Sequence, residues 1–249
     1  MSHDKVNLPN KDMQGVDQVS ELEVIVLNEE DARVAEASGA DRLELVTAIG
    51  EGGLTPSYNV IDKVVNRVKI PVQVMVRPHS FSFVYSETDI QQMRKDIEIV
   101  KQIGANGIVF GSLTENGELN TSMLKQVLEF SDGLSVTFHR AIDEANDPVA
   151  LYKDLQSSHM KVDRILTSGG AANVRMGLQK LKAMLESQQN GGPTVMPGAG
   201  LTLDNIEDIH GELKAREYHF GSGVRKQNHF QFGIEPKKIE EIKGIITQR

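Results

Sequence analysis

The chain has 249 residues, 39% hydrophobic and 25% charged, a formal net charge of −8 and no cysteine. That apolar share supports a sizeable core, and the acidic balance with scattered Lys and Arg excludes a broad phosphate-backbone interface, so nucleic acid is not an expected partner. Without cysteine there is no disulfide, thiolate nucleophile or thiolate-bound metal centre, and the absence of any long apolar run predicts a cytoplasmic protein that does not engage a membrane.

Residues 1–20 read as a polar N-terminal extension and residues 21–249 as one domain. In the domain, short β-rich apolar runs alternate with segments of helical spacing, which predicts a parallel sheet with crossover helices. The expected strands are Leu22 to Leu27, Arg42 to Thr47, Val72 to Arg77, Gly107 to Leu113, Ser135 to Arg140, Arg164 to Ser168, Thr194 to Pro197 and Glu217 to Gly221. Eight such units is the number at which a parallel α/β sheet closes into a TIM-type (β/α)8 barrel. Asn28, Ser57 and Asn120 stand as N-caps before Glu29 to Ala37, Tyr58 to Val65 and Thr121 to Phe130, while Gly39, Gly104 and Gly133 stop helices. The last helix, about Glu235 to Thr247, carries Ile239, Ile242, Ile245 and Ile246 as an outer-barrel stripe.

The longer connections follow strands: Ala48 to Pro56, Pro78 to Glu87, Leu113 to Glu118, Ala141 to Asp147 and Ser222 to Gly233. In this architecture the strand C-termini carry the site, so chemistry is expected there. The basic pair Arg225-Lys226 in the last of these loops reads as a solvated tip.

Apolar residues of a parallel strand must face the helices, which turns the alternating polar ones inward. Leu43 and Leu45 therefore leave Glu44 facing the barrel interior. The same parity turns Gln73, Met75 and Arg77 inward, with Thr137, His139 and His219. A carboxylate, a guanidinium and imidazoles converging on one mouth suit acid–base or anion-binding chemistry, and equally a structural network in which Glu44 pairs with Arg77. Glycine-rich turns, Ser168-Gly169-Gly170, Gly198-Ala199-Gly200 and Gly221-Ser222-Gly223, end the last three strands; their N–H groups could cradle a phosphate or carboxylate, or simply make tight turns. The histidines show no close chelating pair, so a metal would need imidazole, methionine or carboxylate ligands gathered from separate strands, with Met75 and Met196 as candidate thioethers.

Several of these stretches together resemble the CutC copper-homeostasis family: Ala40-Asp-Arg-Leu-Glu-Leu, Glu51-Gly-Gly-Leu-Thr-Pro-Ser57, Val76-Arg-Pro78, Val109-Phe-Gly111, Thr137-Phe-His-Arg-Ala141 with Asp143, Arg164-Ile-Leu-Thr-Ser-Gly169 and Met196-Pro-Gly-Ala-Gly200. The resemblance implies a cytosolic TIM-type barrel, a homodimer and copper as a possible ligand, with no other cofactor. It points to Glu23, Glu44, Arg77, His139, Arg140, Asp143 and Ser168 as the polar cluster, with His219 beside it. Two departures stand out. The cysteines suggested as copper ligands in some members are absent, and Pro78-His-Ser-Phe-Ser-Phe-Val-Tyr85 replaces the family's more charged loop, leaving His79 as a local substitute.

Two functions follow as expectations. One is copper handling, direct or indirect. The other is an enzyme acting on a small phosphorylated or carboxylated metabolite, with Glu44, His139 and Asp143 as catalytic groups. Glu23, Arg77, Arg140, Ser168, Gly169, Gly198, Gly200, His219 and Ser222 would then hold the ligand. A barrel that only binds partners is the third possibility.

Overall fold

A computed structural model describes residues 20–248. The expected extension 1–20 lies outside the described residues except for Ser20, which is buried and donates from Oγ to the Ala215 carbonyl at 2.9 Å. Eight strands and eight helices alternate: β1 Glu21–Val26, α1 Glu29–Ala37, β2 Arg42–Leu45, α2 Tyr58–Val65, β3 Val72–Met75, α3 Glu87–Ile103, β4 Gly107–Phe110, α4 Thr121–Phe130, β5 Ser135–Phe138, α5 Pro148–Ser157, β6 Arg164–Thr167, α6 Leu178–Gln188, β7 Thr194–Pro197, α7 Leu203–Leu213, β8 Glu217–Phe220 and α8 Pro236–Thr247. Short 3-10 turns at Ile49–Glu51, Arg140–Glu144, Ser222–Val224 and Lys226–Asn228 occupy three of the long loops.

The strands pair in parallel in the order β7-β6-β5-β4-β3-β2-β1-β8, and a parallel bridge between Gly198 and His219 joins the two ends into a barrel. Glycine leaves room at that seam, where a side chain at Gly198 would displace the end of Leu166 and press on His219. The outward positions Leu22, Val24, Leu43, Leu45, Val74, Phe110, Phe138, Ile165, Val195 and Phe220 are fully buried against the helices. Each such side chain contributes roughly 1.5–3 kcal/mol on leaving water, so the apolar shell between sheet and helices carries the fold.

Local signals account for the helix ends. Asn28 and Asn120 accept from Asp31 N and Met123 N at 2.9 and 3.1 Å, as expected of N-caps. Ser57 occupies the same position before α2 but makes no side-chain cap bond. The longest helix, α3, starts from a reciprocal Ser86–Asp89 capping box and ends at Gly104 in the left-handed conformation.

The barrel interior below the mouth is polar. Arg42 reaches Glu21 at 2.9 Å and also pairs with Glu23 and Glu217, while Arg164 bonds Glu217 at 3.1 Å and Ser135 at 2.8 Å. This network plugs the end of the barrel opposite the long loops. No helix among the described residues is long and apolar enough to cross a membrane.

One loop expectation is overturned. Arg225 is not a solvated tip but 2% exposed, held by Asp31 of α1 at 2.5 Å and stacked over Phe230 at 4.9 Å. The loop between β8 and α8 folds back on itself, with an antiparallel bridge from Arg225 to Ile234, and so carries the guanidinium inward.

Candidate functional site

At the C-terminal ends of the strands lies a cavity of about 380 Å³, a size suited to a small ligand. Glu44, Arg77, His139, Arg140, His219, Gly200 and Ser222 line it with an apolar wall that includes Ile25, Met75, Phe83, Leu166 and Phe230. Strand register explains the convergence. Glu23 is the direct partner of His219 across β1–β8, and Ile25 that of Glu44 across β1–β2, so the three polar groups share one side of the barrel.

Glu44 does not pair with Arg77. Its neighbour is His219, whose Nε2 lies 3.7 Å from Glu44 Oε2, and Glu44 Oε1 is buried with no hydrogen-bond partner. Burial pushes the Glu44 carboxyl up to about 7; His219 opposes the rise and the Glu23 charge adds to it. On the other side of the imidazole, His219 Nδ1 sits 2.7 Å from Glu23 Oε1. Burial disfavours the charged form of each partner, but Arg42 and His219 together hold the Glu23 carboxyl well below the usual range. Glu44 and Glu23 in turn raise His219 above the usual imidazole value despite its desolvation.

Arg77 is committed to backbone. Its Nη1 donates to the carbonyls of Glu51 and Gly53, both at 3.3 Å, and its Nη2 to that of Ser80 at 3.2 Å. Phe83 packs under the guanidinium at 4.6 Å and tilts against the His139 ring at 4.9 Å. Arg77 thus fastens two long loops over the mouth. Its Nε remains buried and unpartnered.

His139 follows β5 and caps the Arg140–Glu144 turn, its Nδ1 accepting from Ala141 N at 3.1 Å. The proton of the neutral ring therefore sits on Nε2, which is buried and has no partner. Burial, reinforced by Arg77 and Arg140, pushes this imidazole down to about 3 and keeps it a neutral donor.

Asp143 occupies a different place from the catalytic one expected of it: it is not among the cavity-lining residues. Its carboxylate accepts from Arg140 Nε at 2.7 Å, Thr167 Oγ1 at 2.6 Å, Ser168 N at 3.1 Å and Gly170 N at 2.9 Å, with Ser168 Oγ 2.9 Å away. Gly169 N donates to Thr167 Oγ1 at 2.9 Å. The glycine turn after β6 does cradle an anion, but that anion is the protein's own Asp143, so Gly169 and Ser168 have no N–H to offer a ligand. Gly198 N is likewise spent, on the Thr167 carbonyl at 3.0 Å. Gly200 and Ser222 remain at the cavity wall. His79 turns away to Asp89, 3.5 Å distant, and stacks on Phe81.

A model of the CutC family matches residues 20–224. The chain is 38% identical over 222 residues to a CutC family protein of Vibrio campbellii, covering 88% of this chain and 89% of that one. It is 39% identical over 211 residues to a human copper homeostasis protein cutC homolog, covering 85% and 76%. The chain belongs to the CutC family. A crystal structure of a CutC family member from Streptococcus agalactiae superposes with a TM-score of 0.74 at 28% identity, over 81% of this chain and 98% of that one. A phosphoribosyl anthranilate isomerase from Thermococcus kodakaraensis, at 16% identity and a TM-score of 0.61 over 93% and 100%, shares the barrel fold. Against this family background, the aromatic wall of Phe83 and Phe230 went unread in the sequence. Its one local signal was three aromatic residues, Phe81, Phe83 and Tyr85, within five positions.

Proposed function

We propose that this chain serves copper homeostasis, the role its relatives are named for, as a cytoplasmic homodimer whose ligand enters the cavity at the barrel mouth. Family membership supports the role. The observation that supports the place is the buried Glu44–His219 pair, which faces the cavity with a carboxylate oxygen left without a partner. Cuprous ion favours thiolate or clustered thioether ligands, and the cavity offers neither among the described residues. The chain has no cysteine, and Met196 Sδ is engaged by Arg42 Nη2 at 3.3 Å, leaving Met75 as the cavity's thioether. Copper handling here therefore rests on carboxylate and imidazole chemistry, or acts on copper tolerance indirectly. The test is complementation of a strain lacking the gene, plated on graded copper. Wild type should restore tolerance and Glu44→Gln should not; equal rescue by both would remove the cavity from the role.

A second reading is favoured by one specific observation. Glu44, with its carboxyl near 7, and His139, a neutral N–H donor, face the same cavity. That is the pairing of an acid–base group and a hydrogen-bond donor that an enzyme acting on a small phosphorylated or carboxylated metabolite would use. Incubation with a cell-extract metabolite pool, followed by mass spectrometry, tests it. A compound consumed by wild type but not by Glu44→Gln would establish an enzyme, and an unchanged pool would count against one.

A further inference from the structure

We infer that Glu44 and Nε2 of His219, with Glu23 fixing the imidazole from behind, form a binding site for a divalent transition-metal ion at the floor of the cavity. This deepens the reading of the cavity as the ligand site and rests on it. Glu23, Glu44 and His219 each offer a ligand atom, and those atoms lie within 4.8 Å of one another.

Three observations carry it. The first is spacing. His219 Nε2 and Glu44 Oε2 are 3.7 Å apart, too far for a hydrogen bond. Two ligand atoms each roughly 2.1 Å from one ion, at a tetrahedral or wider angle, sit roughly 3.4 to 3.7 Å apart. The second is the state of the ring. The carboxylate of Glu23 holds Nδ1 of His219 at 2.7 Å, the arrangement that orients metal-binding imidazoles and leaves Nε2 free to ligate. Oε2 of Glu23 is taken by Arg42, so this residue supports the ring and is not itself available to close around the ion. The third is an orphan. Glu44 is 2% exposed, yet its Oε1 has no partner, a costly state unless something is meant to meet it.

The charges around the site agree. Glu23, Glu44 and Glu217 face the interior from β1, β2 and β8; Arg42 pairs with Glu23 and Glu217, and Arg164 with Glu217. That leaves Glu44 as the interior carboxylate with no guanidinium in contact to balance its charge. Arg77 is bound to loop carbonyls and Arg140 to Asp143, and His139 is neutral, so none of the other cavity groups supplies that balance. Imidazole with carboxylate and open positions for water suits zinc-like or manganese-like ions and not the soft cuprous ion.

The test is titration of the chelator-stripped full chain with Zn²⁺ alone, followed by calorimetry. One ion per chain at micromolar or tighter affinity is expected, abolished in Glu44→Gln, weakened about 10- to 100-fold in Glu23→Gln, and unchanged in Met75→Leu. Absence of saturable zinc binding by wild type overturns the inference whatever the variants do, as does full binding by Glu44→Gln. Should Glu44→Gln fail to fold, the absorption spectrum of wild type loaded with Co²⁺ decides between nitrogen–oxygen ligation, as inferred, and sulfur ligation, which would overturn it. Tight cuprous binding without zinc binding would overturn the divalent site while leaving the copper role standing, and binding of neither ion would overturn the divalent site alone, the copper role being decided by the complementation test.

Discussion

His219 and Glu23 meet across the β8–β1 seam with Nδ1 and Oε1 2.7 Å apart, and both side chains are almost completely buried. They are 196 positions apart in the chain, yet directly opposed in strand register. Their contact is a structural fastening and the orienting element of the cavity floor at once.

Glu23→Gln should therefore cost about 3–5 kcal/mol in urea unfolding at pH 7, because it leaves Arg42 and His219 without a buried counter-charge. The pH window follows from the direction of each shift. The folded-state carboxyl of Glu23 is depressed, so its contribution is complete above its ordinary value of 4.5 and is lost as pH falls toward the lower folded value. The folded-state imidazole of His219 is raised, so its share is complete below 6.5 and fades as pH rises through the higher folded value. Stability of Glu23→Gln within about 1 kcal/mol of wild type near pH 5.5, where both contributions are present, would show that the seam does not depend on the pair.

His139 makes the opposite demand on pH. Its imidazole takes up a proton near 6.5 when unfolded but only near 3 when folded, so acid favours the unfolded chain across that interval. The slope is roughly 1.4 kcal/mol per pH unit, or about 2 kcal/mol lost between pH 6.5 and 5. His139→Gln should remove that increment, measured as the difference between the wild-type and variant unfolding curves at the two pH values. Parallel curves would mean that His139 protonates in the folded protein.

Asp143→Ala should release the turn after β6. The backbone N–H groups of Ser168 and Gly170 and the Thr167 hydroxyl all lose their acceptor, and each buried group left unpaired costs about 1–3 kcal/mol. Hydrogen exchange read by mass spectrometry should show protection lost in the segment 167–171 beyond any global change. Retained protection there would mean that the turn holds its shape without the carboxylate.

Much of this is legible in the sequence. The eight strand–helix units, the bounds of α1, α2 and α4, and the inward turn of Glu44, Gln73, Arg77 and His139 all follow from period-two alternation and capping residues, signals that act over a few positions. The same alternation in Glu21-Leu-Glu-Val also turns Glu23 inward, although resemblance was what singled it out. Partner choice was not legible. The pairing the sequence suggested for Glu44 was with Arg77, whereas its neighbour is His219, and that choice depends on register across the seam where first and last strands meet, which no local pattern encodes. The burial of Arg225 went unseen for a related reason. Its counter-ion Asp31 is 194 residues away, and nothing in the loop sequence announces the fold-back. The glycine turn after β6 showed the converse problem: its preference for an anion was readable, but not that a carboxylate three residues beyond Arg140 would satisfy it internally.

The bridge from Gly198 to His219 has a consequence for how the molecule comes into being. During synthesis β1 emerges first and β8 last, so Glu23 and Glu44 must wait for nearly the whole polypeptide before their imidazole arrives. Ring closure and assembly of the binding floor are thus a single event. A nascent chain stopped short of its eighth strand would lack both the β1–β8 pairing and the imidazole that Glu23 and Glu44 face. The cavity is in this sense a mark of completion: only a finished barrel presents Glu23, Glu44 and His219 together.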